Sequence, residues 1–153
     1  YSLFLSDKDL QIGRGEPIED TARVLSRFIQ GIMIRTFSQE EAEKLAKYSS
    51  IPIINGLTDE EHPCQVLADL MTIRENKNIL EGLKVAFIGD GNNMANSLMI
   101  GCLKVGMNFA IASPKEYTAS DAYINRAKEI AEKAGIKYNK NDEKSANFYW
   151  QTS

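Results

Sequence analysis

Short strand-forming runs alternate with stretches of helical periodicity along almost the whole chain. This alternation restricts the fold more than any other feature of the sequence. Glu16-Pro17 opens a helix expected to reach about Gln30, because Ile18, Ala22, Leu25 and Ile29 recur at helical spacing and Gly31 then stops the run. Ile32-Met33-Ile34 reads as a short apolar strand with Arg35 at its C-terminal end. Ser38-Gln-Glu-Glu41 is a capping box for a helix reaching about Tyr48. Ile51 to Ile54 is a second strand, and Asn55 to Glu61 is a polar loop. A third helix follows, with Val66 to Glu75 as its periodic part.

The second half repeats the pattern. Leu83 to Ile88 is a strand of the fully buried type, and Gly89-Asp90-Gly91-Asn92-Asn93 is a tight loop. Met94 to Val105 is helical with Gly106 as its stop, and Met107 to Ala112 is a strand broken by Ser113-Pro114. Asp121 to Ala134 is a helix ended by Gly135, followed by a short strand, Ile136-Lys137-Tyr138. Strand–helix–strand order of this kind argues for parallel pairing through crossovers. The expected class is therefore α/β, with parallel sheets flanked by helices. Asn76-Lys77-Asn78 weakens helical propensity and Gly82 precedes a new strand, which divides the chain into residues 1–78 and 79–153.

Composition narrows the function. A chain of 153 residues can bury one ordinary core or two small ones. The net charge of −3 creates no global field for nucleic acid or an anionic membrane, so any bound anion must be held by local cations. The two cysteines, Cys64 and Cys102, lie far apart and outside a C-x-x-C spacing. That argues against a disulfide framework and for a reducing, cytoplasmic compartment. No signal peptide is visible, and the apolar runs are too short to span a bilayer. The start at Tyr1, without methionine, is what a fragment or a processed chain would show.

The tetrapeptide His62-Pro63-Cys64-Gln65 carries the most chemistry. Proline biases the residue before it away from helix and is itself favoured at the first helical position. His62 is therefore expected at the cap of a helix, with Gln65 in its first turn. Free backbone N–H groups and a partial positive charge at such a start suit an anion. An imidazole and a carboxamide aimed the same way would suit a small, polar, phosphorylated ligand. A plainer reading is that His62 only caps the helix. Ligands of open parallel sheets bind beyond the carboxyl ends of the strands. Arg35, His62 and the Asn92-Asn93 loop all follow strands and can share such an edge.

The glycine loop invites a dinucleotide reading but does not fit one. Gly89-x-Gly91-x-x-Met94 lacks the third glycine of that fingerprint, and no acidic residue ends the next strand, which reads Ala112-Ser113-Pro114. Asn92 and Asn93 instead offer carboxamides, which can pair with an amino acid's ammonium and carboxylate at once. Either asparagine could also serve only as a helix cap.

Taken together, four segments resemble the ornithine carbamoyltransferases. They are Gln11-Ile-Gly-Arg-Gly-Glu16-Pro-Ile-Glu-Asp-Thr-Ala-Arg-Val-Leu-Ser-Arg27, then Gly31-Ile-Met-Ile-Arg35, then His62-Pro-Cys-Gln-Val-Leu-Ala-Asp-Leu70, then Gly89-Asp-Gly-Asn-Asn-Met-Ala-Asn-Ser97. Their order and spacing match over roughly residues 3–120. Aspartate carbamoyltransferases share the His-Pro-x-Gln element, whereas the paired asparagines are similar to the ornithine branch. The resemblance implies parts of two Rossmann-like domains, one for carbamoyl phosphate and one for ornithine, assembled as a homotrimer or a multiple of trimers. It implies no cofactor and no metal.

The resemblance also implies roles. Arg35 and His62 would be catalytic, Arg35 binding the carbonyl and phosphate oxygens and His62 donating to the carbonyl oxygen. Gln65 would accept from the carbamoyl NH₂, and Gln11 would also contact carbamoyl phosphate. Asn93 would bind the α-amino acid end of ornithine. Asp20, Thr21 and Arg23 look architectural, and Cys64 a small spacer. The family's Ser-Thr-Arg-Thr-Arg phosphate loop lies upstream of the matching segment. Its Asp-x-Trp-x-Ser-Met-Gly and His-Cys-Leu-Pro elements lie downstream. An isolated 153-residue polypeptide is on this ground expected to be inactive. Two other readings stay open: a non-catalytic α/β binding or assembly module, and a nucleotide-binding domain.

Overall fold

Pro17 sets the start of the first helix, α1 (Ile18–Leu25), and the computed structural model shows this helix shorter than its periodicity suggests. The Ser26 hydroxyl donates to the Ala22 carbonyl at 2.7 Å and accepts the Ser50 N–H at 3.1 Å, so the chain leaves the helix there in a series of tight turns. The structure describes residues 1–6, 9–10, 14–134, 137–141 and 146–151, the last two stretches as backbone only. Strand β1 (Ile32–Arg35), helix α2 (Gln39–Tyr48) and strand β2 (Ile53–Leu57) follow. β1 and β2 pair in parallel, with a register shift between Ile34 and Arg35. Ser38 caps α2 by accepting the Glu41 N–H, while the Glu41 carboxylate reaches past it to the Thr36 hydroxyl at 2.6 Å. The capping box is thus half used. β2 begins and ends later than the apolar run Ile51–Ile54, taking in Asn55-Gly56-Leu57.

The chain packs as two compact units, Tyr1–Thr58 and Asp59–Ser153. In the first, Ala22, Ala42 and Leu45 are buried beneath α1 and α2. Asp20 and Arg23 form an exposed ion pair at 2.7 Å, and the Arg23 guanidinium lies over the Tyr48 ring at 5.2 Å. Thr21, between them in sequence, is buried, so the motif contributes an ion pair within α1, a cation–ring contact to α2 and one core position.

The second unit opens with α3 (Pro63–Lys77), which ends where Asn78 adopts a left-handed conformation and donates its N–H to the Arg74 carbonyl. Strand β3 (Lys84–Ile88), helix α4 (Asn93–Lys104), strand β4 (Asn108–Ser113) and helix α5 (Asp121–Lys133) complete the alternation. A short 3₁₀ turn, Lys115–Tyr117, precedes α5. β3 and β4 pair in parallel from Lys84↔Asn108 to Ile88↔Ala112. Strands β5 (Lys137–Asn141) and β6 (Ala146–Gln151) then depart from the expected parallel continuation. Both pairings are antiparallel, and the sheet order is β3-β4-β6-β5. Four residues separate β5 from β6, too few for the crossover that a parallel pair needs.

The core of this unit lies between α3, α4, α5 and β4. Phe109, Met99, Leu103, Met107 and Cys102 are essentially inaccessible to solvent. α3 belongs to this core through Val66 and Leu70, which pack with the buried face of α4. The division by packing therefore precedes α3, while the sequence punctuation at residues 76–82 follows it. Burial pushes the Cys102 thiol up to about 12, with the Asp69 carboxylate adding to the effect. Alkylation of the folded protein at pH 8 is accordingly expected to leave Cys102 unmodified, and denaturant is expected to expose it to complete reaction. Peptide mass mapping of the two samples checks this; labelling of Cys102 in the folded sample would contradict it.

Candidate functional site

Helix starts accept anions most readily where no acidic side chain occupies the first turn. α1 carries Glu19 and Asp20 there, α2 Glu40 and Glu41, and α5 Asp121. α3 and α4 carry none. These two helices hold the candidate residues His62, Gln65 and Asn93.

His62 occupies the N-cap of α3 with Pro63 at the first helical position. Its side chain makes no cap hydrogen bond, so the imidazole is not consumed in starting the helix. The buried Nδ1 has no hydrogen-bond partner among the described residues. The His62 carbonyl instead starts α3, accepting from Gln65 N at 3.2 Å and Val66 N at 3.4 Å. Gln65 is exposed one turn along, and its Nε2 donates to Asp69 Oδ1 at 3.0 Å. That bond turns the carboxamide nitrogen toward Asp69 and leaves the oxygen to accept a hydrogen bond elsewhere.

The two asparagines of the glycine loop divide their work. Asn92 is the N-cap of α4: its Oδ1 accepts the Met94 N–H at 3.0 Å and the Ala95 N–H at 3.3 Å. Asn93 is the first helical residue and half-buried. The loop itself does not suit a dinucleotide. The space where Gly91 would carry a Cβ is filled by the backbone of Thr118 and Ala119. A pyrophosphate would need that same close approach.

The segment Glu60–His62 is gripped from two helices. Asn96 Nδ2 donates to the Glu60 carbonyl at 3.1 Å, and the His62 N–H donates to Ser97 Oγ at 2.7 Å. From α5, Arg126 pairs with Glu61 at 2.8 Å, and the Tyr123 hydroxyl lies 3.1 Å from Glu61 and 3.3 Å from Glu60 carboxylate oxygens. Burial, and after it the Glu61 and Glu60 carboxylates, raise the Tyr123 phenol above its ordinary range, which keeps it a neutral donor. No sequence motif assigns a role to Asn96, Ser97, Tyr123 or Arg126. The available signal was two adjacent polar residues, Asn96 and Ser97, among the apolar positions Ala95, Leu98 and Met99.

In the first unit, Arg35 is exposed at the C-terminal end of β1 and forms no ion pair among the described residues. Gln11 lies outside the described residues. Two clefts of about 310 and 280 Å³ open on the second unit, and neither His62, Gln65 nor Asn93 lines them. Among the described residues, no group of three or more His, Cys, Asp or Glu could hold a metal ion. No described helix is long and apolar enough to cross a membrane.

Residues 1–75 match the family model for the aspartate/ornithine carbamoyltransferase carbamoyl-P binding domain, and residues 81–148 match that for the Asp/Orn binding domain. The chain is 60% identical over 135 residues to an ornithine carbamoyltransferase of Anoxybacillus flavithermus, a match covering 88% of this chain and 43% of that protein. A Bacillus subtilis ornithine carbamoyltransferase is 60% identical over 134 residues, with 88% and 42% covered. Among solved structures, the ornithine carbamoyltransferase from Pyrococcus furiosus is similar at a TM-score of 0.80 and 49% identity, covering 87% of this chain and 42% of that one. The chain thus spans about two fifths of the length of the curated relatives it matches.

Proposed function

Since the chain belongs to the aspartate/ornithine carbamoyltransferase family, we propose that it takes part in transferring the carbamoyl group of carbamoyl phosphate to the δ-amine of L-ornithine. The products are L-citrulline and phosphate. The observation that carries this reading is the imidazole of His62, which makes no cap hydrogen bond, at a helix whose first turn carries no acidic side chain.

The neutral δ-amine attacks the carbonyl carbon, and the carbonyl π pair moves onto oxygen. The tetrahedral intermediate collapses, the C–O bond to phosphate breaks, and the amine loses a proton. Negative charge grows on the carbonyl oxygen, so donors preorganised there lower the barrier. His62 donates to that oxygen through a protonated ring nitrogen. Arg35 binds carbonyl and phosphate oxygens with its planar fork. Gln65 accepts from the carbamoyl NH₂, which orients the group, and Gln11 contacts the same substrate. Asn93 holds the α-amino acid end of ornithine, supported by its place at the start of α4 while Asn92 serves as the cap.

Residues 1–78 contribute to the carbamoyl phosphate domain and residues 79–153 to the ornithine domain. Family membership further supports a homotrimer or a multiple of trimers, a cytoplasmic location and a role in arginine metabolism. The protein at its natural length, given carbamoyl phosphate and L-ornithine, is expected to form citrulline with matching phosphate release. L-Aspartate in place of ornithine is expected to give no ureido product. Phosphate release without citrulline, or carbamoylation of aspartate in preference to ornithine, would overturn the assignment.

A further inference from the structure

Ser97 and Asn96 are buried polar residues on a helix whose other inward positions are apolar. A polar group in such a place costs free energy unless it is hydrogen-bonded. Here both side chains reach one short segment: Asn96 holds the Glu60 carbonyl and Ser97 holds the His62 N–H. The His62 carbonyl is held independently by the first turn of α3. Residue 62 is therefore fixed at both of its peptide groups, its N–H by α4 and its C=O by α3. Pro63 adds a restriction of its own, because the residue before a proline is kept out of the helical region. His62 sits at φ −137° and ψ 66°. Nδ1 makes no hydrogen bond among the described residues, so the fixed backbone sets the direction in which the imidazole leaves the chain.

Ser97 also lies four residues after Asn93 on the same helix, hence one turn along the same face. A single hydrogen bond thus links the helix start that carries Asn93 to the backbone of His62.

We propose that Ser97 is a positioning residue for His62: it accepts the His62 N–H, fixes the direction of the imidazole, and sets it relative to the start of α4. Asn96 braces the same segment at Glu60. The Tyr123 and Arg126 contacts to Glu61 complete the grip from α5. The proposal rests on the assignment of His62 as the donor to the carbonyl oxygen.

The test is a double-mutant cycle in the protein at its natural length, reading kcat for citrulline formation and the melting temperature of each variant. Ser97→Ala is expected to lower kcat on the order of 10- to 100-fold, the cost of misplacing a reacting group by about 1 Å, with little change in KM for ornithine. Ser97→Thr, which keeps the hydroxyl, is expected to recover most of that loss. In a His62→Ala background, Ser97→Ala is expected to have no further effect on kcat, because a residue acting through His62 has nothing left to position. Equal fold losses in the two backgrounds, or full kcat in Ser97→Ala, would overturn the proposal while leaving the role of His62 standing. Full kcat in His62→Ala would overturn that role and the proposal with it.

Discussion

Replacing His62 by alanine is expected to lower kcat for carbamoyl transfer about 100- to 1,000-fold, the usual loss when one oxyanion donor is removed. The magnitude reflects charge that exists fully only in the transition state. A donor to the carbonyl oxygen contributes little to holding the ground-state substrate and much to the tetrahedral species. The loss should accordingly fall on kcat rather than on the KM for ornithine. Stability should barely move, because the imidazole makes no cap hydrogen bond and α3 is started by the His62 carbonyl and Pro63. Steady-state kinetics beside a thermal melt separates the effects. A large fall in melting temperature, with kcat per folded molecule unchanged, would mean that His62 is a structural residue.

The second large effect is steric. Gly91→Ala is expected to destabilise the protein by about 3 kcal/mol or more, the upper range for overpacking. Gly91 is not in the left-handed region, so the cost does not come from its backbone angles. It comes from the segment opposite: a Cβ at position 91 would overlap the Ala119 N, the Thr118 carbonyl carbon and the Ala119 Cα. The Gly91 N–H also donates to the Tyr117 carbonyl at 2.6 Å, so the two backbones are already drawn together. Neither can yield by a rotamer change. Gly101 offers a contrast, because a methyl there would meet a Val66 side-chain methyl. Val66→Ala could relieve that clash, whereas nothing comparable relieves Gly91. For a protein of this size the melting temperature should fall by roughly 6–12 °C. A Gly91→Ala protein melting like the wild type would show that the 117–119 segment gives way freely.

Much of this architecture was legible in the residues. Strand and helix alternation follows from apolar period and punctuation, both local properties, and His62 at the cap follows from the restrictions that Pro63 imposes on its neighbours. The Ser38 cap was legible for the same reason. What local pattern could not give was pairing between distant segments. Phe148-Tyr149-Trp150 is strand-like in composition, yet only its pairing with β4 from Phe109↔Trp150 onward makes it part of the sheet. Asn92 and Asn93 are chemically identical, and the direction in which the chain enters α4 decides which one caps. The grip of Ser97 on His62 spans 35 residues of chain: the polar pair Asn96-Ser97 on an apolar helix face marks one end of it, but nothing local names the partner. At α1, helical periodicity continued beyond the point where Ser26 turned the chain toward Ser50.

The packing of α3 with α4 has a practical consequence for anyone who cuts this chain into pieces. A division at residue 78, between the segments that match the two family models, would strip Val66 and Leu70 from α4, where they pack over Gly101, and open that face to water. A piece that begins at Asp59 would keep that interface and would carry the histidine with it. Expression yields of the two pieces would then differ for a reason unrelated to catalysis, with the shorter one lost to aggregation.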